Sequence, residues 1–75
     1  MQAQEAFRYA LDNSGKSQRQ ISRDLGKVDT FISSMLSGGR TPGLQLMANV
    51  ADVCGYDLLL VDRTTGDTIK IDSKQ

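Results

Sequence analysis

Seventy-five residues with nine basic against nine acidic side chains allow one domain around a single modest core, and zero net charge argues against a nonspecific nucleic-acid coat protein. The lone cysteine, Cys54, excludes an internal disulfide and fits a reducing cytoplasm. With no histidine, no Cys-x-x-Cys, no phosphate-cradling glycine motif and scattered acidic residues, neither an enzyme, a metal site nor a cofactor is expected.

Met1 to Glu5 contain no basic n-region, and no later stretch approaches the roughly 20 apolar residues that span a bilayer, so a soluble, unexported chain is expected. Ala3, Ala6, Phe7, Ala10 and Leu11 recur at spacings of three and four, which predicts a first amphipathic helix ending at Asn13-Ser14-Gly15. Ser17 is placed to cap a second short helix with Ile21 and Leu25 inward, and Gly26 supplies a sharp turn. A third helix is expected to start at Asp29, with Val28 tucked beneath it and Ile32, Met35 and Leu36 as its apolar side, and to stop at Gly38-Gly39. After Pro42-Gly43, the residues Leu44, Met47, Val50, Ala51 and Cys54 form a fourth stripe that closes at Gly55. Cys54, at an apolar helix position, reads as a small core residue.

Beyond Gly55 the period becomes that of strands. Leu58 to Val61 and the alternating Thr68 to Asp72 flank turn chemistry at Thr64-Thr65-Gly66-Asp67, which predicts a β-hairpin. A loop of Thr64 to Gly66 sets Val61 opposite Ile69 and Leu59 opposite Ile71, so these four residues cover the helices while Leu58 and Leu60 emerge on the other face. Ser73 to Gln75 are expected to fray. The whole chain, 1–75, is thus expected to be one mostly α domain of four short helices, about residues 2–55, followed by a C-terminal β-hairpin at about 57–72.

The middle of the chain carries the charge asymmetry. Between residues 14 and 41, Lys16, Arg19, Arg23, Lys27 and Arg40 face Asp24 and Asp29, five against two for a net of +3, while the flanking segments are net acidic. In the same window, Gln18 to Ser37 has the spacing of a helix-turn-helix: apolar Ile21, small Ser22 where a second helix crosses closely, apolar Leu25, the turn at Gly26, then Ile32 and Met35. The opposite side of that second helix, with Thr30, Ser33 and Ser34, is left free.

These residues resemble the Cro and phage-repressor family of helix-turn-helix regulators, the xenobiotic-response-element type. The resemblance continues through Ser37-Gly38-Gly39-Arg40-Thr41-Pro42-Gly43-Leu44, similar to the family's loop after the recognition helix, and through the helix from Met47 to Tyr56. It implies a lambda-repressor-like helical bundle and a DNA-binding transcriptional regulator, in the first place a repressor on a palindromic operator. It implies base contacts by Asp29, Thr30, Ser33 and Ser34 near residues 29–37, and phosphate contacts by Gln18 and by Arg40 and Thr41. From their charge, Arg19 and Lys27 are further phosphate candidates. Asp29 serves either as a helix cap or as a base reader, and Phe31 either packs beside the helix or shields a phosphate contact. The reading residues are short hydroxyls, which points to water, thymine methyl groups or DNA shape as a share of the specificity.

A homodimer joined through Leu58 and Leu60 is expected, since two copies read a palindrome where one reads a half-site. The alternative is a protein-interaction role, an antitoxin whose hairpin docks a toxin partner and whose DNA binding serves autoregulation. No membrane partner is expected.

Overall fold

A computed structural model describes residues 1–74; Gln75, one of the three residues expected to fray, lies outside the described residues. Four helices come first, α1 (Ala3–Asp12), α2 (Gln18–Asp24), α3 (Phe31–Ser37) and α4 (Leu44–Cys54), followed by an antiparallel pair, β1 (Leu58–Val61) and β2 (Thr68–Ile71). Among the described residues no helix is long and apolar enough to cross a membrane.

Several helix ends have a local cause. Glu5 reaches back to accept the Gln2 N–H at 3.2 Å in the first turn of α1, and at its end Ser14 Oγ donates to the Leu11 carbonyl at 2.8 Å. Ser17 caps α2, its Oγ accepting the Gln20 N–H at 3.1 Å. Alanine at position 17 would leave that donor without its cap; an expected loss of about 0.5–2 kcal/mol should appear as a lower urea midpoint at unchanged slope. Gly26, at φ +74°, takes the left-handed turn that ends α2, where the Lys27 N–H reaches back to the Ser22 carbonyl at 3.0 Å. Gly39, at φ +65°, does the same after α3, and the Arg40 N–H donates to the Met35 carbonyl at 3.3 Å.

The core gathers Phe7 and Leu11 of α1, Ile21 of α2, Ile32 of α3, and Val50 and Cys54 of α4, with Leu25, Met35 and Met47 packed against it. α1 lies on α4 and α2 on α3, and α4 also meets α2. Cys54 is a core residue as expected, and burial pushes its thiol above the ordinary value against the opposing pull of Lys16 and Ser14. Lys16 links the loop before α2 to both neighbours, donating to Asp24 at 2.9 Å and to the Val53 carbonyl at 3.1 Å. Leu44 departs from the expected stripe: it opens α4 and is mostly exposed.

The hairpin forms in a different register from the expected one. Leu58 pairs with Ile71, Leu59 with Lys70, Leu60 with Ile69 and Val61 with Thr68. The cause is the turn. Asp62 Oδ1 accepts the N–H groups of Thr64 and Thr65 at 2.8 and 3.3 Å, its carbonyl accepts the Gly66 N–H at 2.8 Å, and its own N–H donates to the Asp67 carbonyl at 2.8 Å. These bonds enclose Arg63 to Gly66 and set Asp62 across from Asp67. The hydrophobic pattern does not decide between the two registers, since each sets two aliphatic side chains of β1 opposite Ile69 and Ile71, so the turn does. One face therefore carries Leu58, Leu60, Ile69 and Ile71, and the other Leu59, Val61, Thr68 and Lys70. Leu58 and Ile71 are half-buried at the base, where β1 meets α4, so Leu58 does not emerge as a free surface. Leu59, Leu60, Val61 and Ile69 are 44%, 55%, 60% and 64% exposed.

The end of the described chain is tied down rather than frayed. Gln45 donates to the Asp72 carbonyl at 3.0 Å, Ser73 Oγ to Asp52 at 3.1 Å, and the Lys74 N–H to Asn49 Oδ1 at 2.6 Å. Polar side chains of α4 thus hold the segment that follows β2.

Candidate functional site

The two short central helices are locked by one hydroxyl. Ser22 on α2 is fully buried; its Oγ donates to the Gln18 carbonyl at 2.8 Å and accepts the Ile32 N–H at 3.1 Å. The first N–H groups of a helix have no partner within it, and Thr30, which precedes α3, makes no side-chain cap. A residue of the neighbouring helix therefore supplies the cap that α3 lacks, fixing where α3 begins against α2. Ile32, with no exposed surface, seals the inner side of α3, and Met35 and Leu36 pack beside it.

On the outer side, Thr30 and Ser34 are exposed and line a shallow depression with Val28, Phe31, Met35 and Arg40. Arg40 arrives there because the left-handed turn at Gly39 folds the chain back. Its guanidinium lies beside Gly38, where an added Cβ would sit 3.5 Å from Nε. The structure thus brings together Thr30, Ser34 and Arg40 from the expected set. Ser33 is half-buried, and its hydroxyl donates to the Thr30 carbonyl at 3.1 Å. Gln18, Arg19, Lys27 and Thr41 are exposed, and Lys27 Nζ lies 5.6 Å from the centre of the Phe31 ring.

Two expectations about the start of α3 are corrected. Asp29 is not its cap: the Arg23 guanidinium grips both carboxylate oxygens, at 2.9 and 3.0 Å, and Arg19 stands 3.8 Å away. A two-point charge-assisted bond outcompetes a cap to a neutral N–H, and the helix starts two residues later at Phe31. Val28, expected beneath the helix, is 72% exposed and forms part of the depression. The Arg23 hydrogen bonds hold the Asp29 carboxyl below the ordinary carboxylate range, while Lys16 and Gln20 do the same for Asp24.

Sequence reasoning missed the Arg23–Asp29 pair and the cap from Ser22. The pair spans six positions across a turn, outside the i, i+4 rule for charges on one helix. Ser22 offered one signal, a small residue with a hydrogen-bonding group at a position destined for the interior. No protein-family model matches the chain, nor does any curated protein or solved structure.

Proposed function

We propose that the chain is a sequence-specific DNA-binding regulator of transcription, in which α2 and α3 act as a helix-turn-helix of the Cro and phage-repressor type and α3 enters the major groove. The observation that carries this reading is the two-sidedness of α3. Ile32 is sealed inside, while Thr30 and Ser34 offer exposed hydroxyls with Arg40 at their edge. Hydroxyls bond base edges, and a cation beside them holds a phosphate and fixes the register. Gln18, Arg19, Lys27 and Thr41, all exposed, serve as further backbone contacts. Asp29 enters this reading as a partner of Arg23, and Ser33 with its hydroxyl spent on its own helix.

The test is binding to duplexes selected from a random pool, measured across salt concentrations. Affinity is expected to fall steeply as salt rises. Arg40→Ala should weaken binding to all duplexes alike and reduce the salt slope by about one, whereas Thr30→Ala and Ser34→Ala should shift preference at one or two base pairs. A flat salt response, or no binding even to the selected pool, would overturn the reading.

Two copies joined through the exposed hairpin would form the working unit on a palindrome. The alternative reading gives the exposed strands to a partner protein of the toxin class, with DNA binding kept for autoregulation.

A further inference from the structure

We infer that Asp29 is a specificity-determining residue that acts by withholding positive charge: it keeps Arg23 from meeting DNA phosphates of arbitrary sequence. The inference rests on the DNA-binding reading above. Of the five cations between residues 14 and 41, Lys16 is consumed by Asp24 at 2.9 Å and Arg23 by Asp29, with Arg19 drawn toward the same carboxylate. Among the described residues, Lys27 and Arg40 are the cations of this stretch that meet no carboxylate within ion-pair distance.

The Asp29 network is open to water, with side chains 44%, 55% and 70% exposed for Asp29, Arg23 and Arg19. The two-point Arg23–Asp29 bond shapes the start of α3, and its position suits it to a second role as well. Asp29 immediately precedes Thr30, at the end of α3 that helix-turn-helix docking directs toward base edges. The Arg23–Asp29 pair is net neutral there, and with two of its donors held by the carboxylate the guanidinium offers a sequence-blind phosphate less than a free arginine would. Since nonspecific affinity grows with each phosphate neutralised, a chain with few free cations keeps its two affinities well separated.

The experiment compares the full chain with Asp29→Asn on a selected duplex and on a mixed-sequence duplex across salt concentrations, with thermal unfolding run beside it to confirm an intact fold. Asp29→Asn is expected to raise mixed-sequence affinity several-fold, to steepen the salt slope by about 0.9 for each added phosphate contact, and to narrow the ratio between the duplexes. Adding Arg23→Gln to that variant should give back the share owed to Arg23. Unchanged mixed-sequence affinity and slope, or an equal fall on both duplexes, would overturn the inference while leaving the DNA-binding reading intact. If the unaltered chain binds neither duplex, that reading fails and the inference with it.

Discussion

A chain carrying valine at position 22 is expected to lose about 2–6 kcal/mol of stability. Roughly 1–3 kcal/mol comes from the Ile32 N–H left without an acceptor in the interior, and about as much from the extra methyl group at a site with no exposed surface. A domain of this length has only about 4–11 kcal/mol in all, so a large fraction of the variant should be unfolded near physiological temperature. Ser22→Ala separates the two contributions, because it removes the hydroxyl without adding volume, and should cost about 1–3 kcal/mol. Urea unfolding measures both variants, and amide exchange at Ile32 reports the bond itself. If alanine costs no more than a few tenths of a kcal/mol and Ile32 stays protected, the hydroxyl is not what sets α3 against α2. Because α3 carries Ser34 and begins directly after Thr30, loss of that anchor should, under the proposed DNA-binding reading, also blur DNA preference before the fold is lost.

The four helices were legible because their causes are local. Phe7 and Leu11, Ile21, Ile32, and Val50 with Cys54 are spaced so that each helix buries one side, and Ser17, Gly26 and Gly39 mark ends by capping and turning within a few residues. What was not legible came from competition between a local signal and a partner farther along the chain. Asp29 has the chemistry of a cap, but Arg23 offers its carboxylate two charged donors at once. The Asp62 carboxylate gathers two turn N–H groups and moves every strand pairing by one. Ser73 and Lys74 resembled a loose terminus because their partners, Asp52 and Asn49, lie on a helix more than twenty residues earlier. Within the candidate site, exposure at Ser34 followed from helical phase and the place of Arg40 from the turn at Gly39, whereas the fates of Ser33 and Asp29 depended on which bonds each side chain could find.

In solution the chain is expected to be a homodimer at micromolar concentration, and Leu60→Lys to make it a monomer. A two-stranded hairpin is marginal unless a hydrophobic cover lies over it, and α4 covers only the base of this one. The cross-strand pair Leu60 and Ile69 continues the face that begins with Leu58 and Ile71, and both members of the pair are more than half exposed. No charged side chain interrupts that face, so two copies related by a two-fold axis match without an unpaired charge. A lysine at position 60 would place an ammonium against the partner's apolar side chains and would have to be desolvated there. Val61→Lys makes the corresponding test on the opposite face, where Leu59 and Val61 lie beside Lys70. The variant that dissociates the dimer identifies the face that joins it. On a palindromic duplex with half-sites about 34–36 Å apart, the dissociating variant should also lose roughly 100- to 10,000-fold in affinity, because the second half-site is no longer met by a tethered copy. Light scattering reads the oligomeric state directly. A monomeric unaltered chain, or a dimer that survives both lysines, would remove the hairpin as the joint between copies and leave its exposed strands to a different partner.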